Sequence, residues 1–341
     1  MNKQSLLALV ALTIIGVGAY YFSNQNDSVN RSSLIGEVLL ADVIPHANSI
    51  DKIVITGAGN HTIVTLNKHD SAWQIYERDR YTADISQIRR LVISLLEASV
   101  IEEKTSNSEL YYRLGVEDIS LVDAQGVQVT LHYGEESASL IVGKPGPQLN
   151  KNRYVRKPNE KSSWLVDRKI DIKHDLTYWL DKDLFSIEPH QIAKVTIEVD
   201  GSSPMTIEHR HNENDSADSS HFKVTSLTNP KSYVVDAELQ QITNALSSFQ
   251  LLDVAKPDKV ATHAVSLNIE YQLNDGTIIT IQAYDLDGER YASIDVSGSA
   301  DFVAAIQPRI KSRVFKLPNV TYEAMFKREE DVLAITEDQL N

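Results

Sequence analysis

"SIDKIVITGAG", residues 49–59, is echoed later in the chain by "QIAKVTIEVDG", residues 191–201. Both stretches alternate β-branched apolar residues with polar ones, which is typical of a strand with one buried face. Matching positions recur at one spacing: Ile50, Lys52, Ile53, Ile55 and Gly59 correspond to Ile192, Lys194, Val195, Ile197 and Gly201. A repeated opening strand predicts that the chain contains two related modules.

Both copies continue with strand-like runs and then an amphipathic helix whose apolar residues recur at steps of three and four. In the first copy, Asp84 is a candidate N-cap; the predicted stripe is Ile85, Ile88, Leu91, Val92, Leu95 and Leu96. In the second copy, Asp236 lies near the start; the predicted stripe is Leu239, Ile242, Leu246 and Phe249. Such a stripe needs a sheet to cover it.

A β-hairpin is predicted after each helix, because alternating residues flank a turn signal. The first is expected to turn at Gly126 and the second at Asp275-Gly276. On this alignment Val129 corresponds to Ile279 and Leu131 to Ile281.

The predicted fold is therefore α+β, with two tandem related modules, each an antiparallel sheet with packed helices, after a single N-terminal transmembrane helix. The predicted divisions are an anchor or signal peptide at 1–22, a linker and lead-in at 23–48, modules at 49–190 and 191–328, and a tail at 329–341.

The anchor prediction rests on an uncharged apolar run from Leu6 to Phe22 that follows Lys3. As a helix it extends about 26 Å, the short end of what spans a bilayer, and Lys3 favours a cytoplasmic N-terminus. A cleaved signal peptide, with Val17 and Ala19 before the cut, is the alternative. Either interpretation places the rest of the chain outside the cytoplasm.

Composition excludes several classes of function. The 341 residues carry a formal net charge of −14, which disfavours nucleic acid and anionic lipid surfaces as partners. The absence of cysteine excludes thiol catalysis, zinc–thiolate sites and disulfides.

Several stretches occur in an order that resembles a bacterial family known only as a domain of unknown function. They are "LLADVIPHANSIDKIVI", "ADISQIRRLV", "YRLGVEDISLVDAQG", "LIVGK", "NRYVRK", "WLVD" and "WLDKDLF". The resemblance covers residues 34 to about 187, and the second module more weakly. It implies a membrane-anchored protein whose gene neighbours components of gliding-motility-type ABC transporters. It carries over no catalytic residues.

Candidate site residues are few. His209, His211 and His221 are weak metal-ligand candidates, since the polar loop that holds them has no zincin or EF-hand spacing. Tyr154 and Arg156 would point to one side of a strand and could form a partner or ligand surface. No catalytic or cofactor motif is found, so neither a catalytic set nor a cofactor is expected.

These observations predict an inner-membrane, single-pass protein with its body in the periplasm, acting as an accessory or binding protein of an ABC-type transport system. A periplasmic binder of polysaccharide or small ligands is the alternative, and an envelope hydrolase is a further one.

Overall fold

The computed structural model describes residues 34–148, 151–209, 222–227 and 234–334. Within these ranges no helix is both long and apolar enough to span a bilayer. The predicted anchor, residues 1–22, lies outside them, as do His211 and His221.

The described chain is mixed α and β, with antiparallel sheets and few helices, as the sequence predicted. Its strands are β1 Ile50–Gly57, β2 His61–His69, β3 Ala72–Ile75, β4 Tyr81–Thr82, β5 Val100–Glu103, β6 Val127–Tyr133, β7 Glu136–Pro145, β8 Arg153–Arg156, β9 Ser163–Val166, β10 Asp183–Phe185, β11 Ile192–Val199, β12 Met205–His209, β13 Phe222–Val224, β14 Phe249–Gln250, β15 Asp253–Ala255, β16 Leu267–Leu273, β17 Ile278–Leu286, β18 Glu289–Ser297 and β19 Val314–Lys316.

The α-helices are α1 Ile85–Leu96, α2 Tyr111–Leu114, α3 Asp236–Asn244, α4 Ala300–Ile310 and α5 Asn319–Met325. Short 3-10 turns connect many of the elements, the longest being the lead-in turn Ala41–Ser49 before β1. The lead-in turn includes Pro45, whose missing N–H suits a turn better than the middle of an α-helix.

Three sheets form from these strands. The first has the order β4-β3-β2-β1-β6-β7-β8-β9-β5, and the second has the order β13-β12-β11-β16-β17-β18-β19-β15. A third pairs only β10 with β14. Apart from β4, the strands of the two large sheets occur in the same spatial order relative to their order along the chain.

The inward residues of β1 and β11 have matching partners on both sides. Ile53 of β1 lies opposite Leu66 and Leu131. Val195 of β11 lies opposite Ile207 and Tyr271. A register shift falls between Ile50 and Lys52 in one sheet and between Ile192 and Lys194 in the other.

One predicted hairpin is confirmed and the other is wrong. β16 and β17 pair across Asp275-Gly276, whereas residues 117–126 form turns and irregular structure. The first hairpin joins β6 to β7, with its turn at Gly134 and a φ of +64° there. Gly126 has a different role, because a Cβ atom there would lie 2.3 Å from the Gly115 carbonyl oxygen.

This correction moves the alignment of the two sheets by one strand. Val129 and Leu131 correspond to Ile269 and Tyr271, since each pair faces the equivalent positions of β1 and β11. The predicted match of Val129 to Ile279 is therefore wrong.

The chain divides into two compact units. Of the described residues, the first comprises those up to Gln74 together with those of Ile85–Tyr178, and contains α1, α2 and most of the first sheet. The second comprises Ile75–Asp84 together with the described residues from Trp179 onward. In each unit the inward residues of the central strands are fully buried, as Ile53 and Ile55 are in the first and Val195 and Ile197 in the second.

Candidate functional site

An apolar groove lies on the first unit along helix α1. The lead-in turn Ala41–Ser49, which packs against α1 and β6, also lines the groove. Its volume is about 560 Å³. The floor consists of side chains that are already buried in the core: Ile50, Trp73, Ile88 and Leu96. The groove therefore opens directly onto the hydrophobic core of its unit.

The walls of the groove are apolar side chains in contact with solvent. Ile44 is 47% exposed, Ile85 39% and Ile93 52%. Val92, between the floor and the wall, is partly buried. Exposed apolar side chains gathered along one concave surface are unusual in a monomer and are typical of a binding site.

Helix α1 creates this groove because its apolar face is wider than its sheet can cover. Ile88, Leu91 and Leu95 recur at steps of three and four and are buried. The helix surface beside that stripe carries Ile85, Val92 and Ile93. These side chains line the groove and are not covered by the sheet.

The second unit has a helix with the same buried stripe but no apolar flank. Leu239 and Ile242 of α3, and Leu246 just beyond it, have the spacing of Ile88, Leu91 and Leu95 and are likewise buried. On that alignment the positions of Ile85, Val92, Ile93 and Leu96 are occupied by Asp236, Thr243, Asn244 and Ser247. The fold therefore does not require apolar residues at these positions.

Hydrogen bonds close the corresponding place in the second unit. Counting back from β1 and β11, Ile44 and Pro45 correspond to Ser186 and Ile187. The Ile187 N–H donates to the Leu246 carbonyl at 2.8 Å, and the Ser186 hydroxyl donates to the Ser247 carbonyl. Pro45 has no N–H to donate, so the lead-in turn cannot form the first of these bonds.

A second concavity, of about 500 Å³, lies on the same unit and is more polar. Gln128, Ser137 and Ser139 line it together with Tyr133, whose ring stacks on His46 at a centroid distance of 5.2 Å. The Ser139 hydroxyl is hydrogen-bonded to Thr130 at 2.8 Å. Asp42, Lys157 and Glu160 also line it, so hydroxyl, amide and charged groups lie beside an aromatic ring, a lining that suits a small polar ligand.

Tyr154 and Arg156 lie on β8, and both contact the cluster around Tyr111. Tyr154 packs against the buried residues Tyr111, Val116 and Ile141. The Arg156 guanidinium is buried 4.6 Å above the Tyr111 ring. Its donors are bound within the chain: at 2.8 Å by the Val116 carbonyl, 2.9 Å by the Pro158 carbonyl, 3.1 Å by the Glu160 carbonyl and 2.7 Å by the Asp118 carboxylate.

His209 ends β12, and its ring lies edge-on to Phe222 at 5.2 Å. In the part of the chain that the structure describes, no three His, Cys, Asp or Glu side chains are placed to hold a metal ion. The other two histidine candidates lie outside that part.

The second unit holds a charged cluster around the segment Ile75–Asp84. Arg78 forms a bidentate pair with Asp253, at 2.6 and 3.0 Å. Arg309 donates to the Tyr81 hydroxyl at 3.1 Å and pairs with Asp181 at 3.1 Å. Burial raises the pKa of both Tyr81 and Asp181, with Arg309 opposing the change in each. Neither group lines either concavity, so the cluster anchors this segment.

Sequence reasoning missed the walls of the groove. The helical pattern predicts Ile85 and Val92 in the buried stripe and does not single out Ile44 or Ile93. The available signal was an excess of apolar residues on α1, which has more of them than one stripe needs.

A family model described as "Domain of unknown function (DUF4340)" matches residues 73–266, more than half of the chain. The matched region contains Trp73 and all of α1, so it includes the helical side of the groove but not the lead-in turn. No curated protein and no solved structure matches the chain.

Proposed function

The chain belongs to the DUF4340 family, and we propose that it is a membrane-anchored periplasmic binding protein that serves as an accessory component of an ABC-type transport system. The apolar N-terminal run supports the anchor, and the resemblance described above supports the association with a transporter. The residues in the described part serve binding, with the groove of the first unit as the site where a partner docks.

One observation carries this proposal: the first unit exposes Ile44, Ile85 and Ile93 where the second unit has Ser186, Asp236 and Asn244. Exposing apolar side chains to water is unfavourable by about 25 cal/mol per Å² of apolar surface. The second unit has polar residues at the corresponding positions, so the fold does not need these isoleucines. A partner that covers them explains why they are present.

We also propose that the two units arose by duplication of one module. The shared strand order, the shared register shift and the shared helix stripe support this. On this proposal, one copy carries the binding groove and the other closes the same place with hydrogen bonds.

Photocrosslinking in membranes tests the proposed function. A photoreactive amino acid replaces Ile93 in the full chain, and a matched control replaces Val122, an 88% exposed apolar residue of the same unit that does not line the groove. Crosslinking to a subunit of an ABC transporter is expected from position 93 and not from position 122. Crosslinks that are the same at both positions, or none to such a subunit, contradict the proposal.

The polar concavity supports the alternative of a binder of small ligands or polysaccharide. Tyr133 offers one aromatic face, and Gln128, Ser137 and Ser139 offer donors and acceptors. Titration with soluble oligosaccharides, using Ser139→Val as the control variant, tests this alternative: it requires binding that the substitution weakens. The envelope hydrolase finds no comparable support, since Asp181, a carboxylate whose pKa is raised, is already paired with Arg309.

A further inference from the structure

Two positively charged side chains on the rim of the apolar groove form no ion pair within the described chain. Lys68 and Arg89 are exposed and line the groove, and neither takes part in an ion pair within the described chain. The third charged residue of the rim, Glu97, is already paired with Arg168 at 3.2 Å. The groove therefore presents an apolar floor and a net positive edge, on a chain whose overall charge is −14.

The length of the groove is set by helix α1. Its twelve residues extend about 18 Å at 1.5 Å per residue. A ligand helix of about three turns has this length and offers apolar residues at i, i+3, i+4 and i+7, which is the usual pattern for a helix bound in a groove. Ile85, Val92 and Ile93 recur along the same length and would contact such a stripe.

We propose that the groove binds an amphipathic helical segment of a partner protein, with acidic residues beside its apolar stripe that pair with Lys68 and Arg89. This inference rests on the proposed function and specifies the chemistry of the partner at that site. A short helix contacts only the groove and its positive rim, whereas an anionic bilayer faces a much larger part of a chain whose net charge is −14, so docking onto such a bilayer is disfavoured.

Two model peptides test the inference. Both have about 15 residues and the same apolar stripe, and the flanking positions are Glu in one and Lys in the other. Binding to the full chain in zwitterionic nanodiscs is followed through Trp73, which lies in the floor of the groove. The signal is assigned to Trp73 with the variant Trp73→Phe, because the other two tryptophans, Trp164 and Trp179, lie elsewhere in the core.

The acidic peptide is expected to bind about tenfold more tightly than the basic one, because exchanging the flank turns two attractions into repulsions. The preference should shrink in about 0.5 M salt. Arg89→Glu should abolish or invert the preference. Arg90→Glu is the matched control: it makes the same change of charge on the same exposed helix surface, but Arg90 does not line the groove, so the preference should persist.

Equal affinity for the two peptides overturns the inference, as does an equal loss in the Arg89 and Arg90 variants. Binding of a fatty acid such as oleate, weakened by Arg89→Glu, with no binding of either peptide, assigns the groove to lipid and also overturns it. The two proposals fail separately. Charge-independent peptide binding with intact crosslinking from position 93 removes only this inference, whereas a charge preference without that crosslinking removes only the accessory role.

Discussion

The two units of this chain have the same sheet and the same buried helix stripe, yet they differ on the outer flank of that helix. In the first unit Ile85, Val92 and Ile93 line an open groove. In the second, Asp236, Thr243 and Asn244 occupy those places. The comparison separates what both units have from what only the first unit has.

A second difference lies on β8 and β18, the strands that directly follow the hairpins β6–β7 and β16–β17. Ile141 faces Arg156 across β7 and β8, and Gln282 faces Ser293 across β17 and β18, so Arg156 corresponds to Ser293. Tyr154 corresponds to Tyr291, and a lysine lies near each ring, Lys104 at 6.0 Å and Lys259 at 5.4 Å from the centroid. The tyrosine thus belongs to the shared structure, whereas the buried arginine belongs to the first unit alone.

The largest effect is expected where the units agree. Leu95→Ala and Leu246→Ala each remove a side chain with no exposed surface, and each should lower the free energy of unfolding by about 2 to 5 kcal/mol. Denaturant unfolding of the two variants measures the loss, and hydrogen exchange shows which unit opens. A large cost at one position with almost none at the other would break the equivalence of the two helices.

A smaller effect is expected where the units differ in the buried arginine. Arg156→Met leaves the Val116, Pro158 and Glu160 carbonyls without their donor, which should cost about 2 to 4 kcal/mol. Ser293→Ala, at the corresponding position of the second unit, is the control and should change stability by less than about 0.5 kcal/mol. Thermal or denaturant unfolding distinguishes the two. Equal losses of stability in the two variants would contradict the view that the buried side chain at this position matters only in the first unit.

Much of the sheet could be predicted from the sequence, because strand alternation is a local pattern. The echo of Ile53 and Ile55 in Val195 and Ile197 predicted a matching strand in each copy, and these are β1 and β11. The hairpin at Gly126 was wrong because a glycine can serve a close approach of two backbones as well as a turn. Only the position of the Gly115 carbonyl distinguishes these roles, and that position depends on the tertiary structure.

The groove could be predicted much less well. The apolar positions of α1 were visible, but which of them the sheet covers depends on the lead-in turn, more than thirty residues earlier in the sequence. The anchoring of the segment 75–84 also depends on residues that are far apart in the sequence. Arg78 and Asp253 are 175 residues apart, and no local pattern joins them.

A modest pH effect is expected at the half-buried anion of the second unit. Burial outweighs the attraction of Arg309 and raises the pKa of Asp181, so the folded state holds a proton there more readily than the unfolded state does. Ionisation of this carboxyl therefore lowers stability as the pH rises through its folded pKa. Asp181→Asn should raise stability at neutral pH by less than about 1 kcal/mol. This gain should vanish below about pH 3, where the carboxyl is protonated in both states.

Thermal melts at several pH values measure this effect. Arg309→Met sharpens the comparison, since removing the cation should steepen the fall of stability with rising pH. A gain for Asp181→Asn that is larger at acidic than at neutral pH would contradict the assigned direction of the shift.

The smallest effect on stability is expected from exchanging the flanks of the two helices, and this exchange tests the comparison most directly. Ile93→Asn gives the first unit the residue of the second, and Asn244→Ile makes the reverse change at an exposed position. Because both side chains lie largely in solvent, each change should alter the free energy of unfolding by less than about 0.5 kcal/mol.

Only Ile93→Asn should weaken binding of the acidic model peptide, since Asn244→Ile adds one apolar group where Ser186 and Ile187 already close the surface with hydrogen bonds. If Ile93→Asn instead destabilised the chain by several kcal/mol and left peptide binding intact, the apolar flank would be part of the core, and the difference between the units would be one of packing and not of binding.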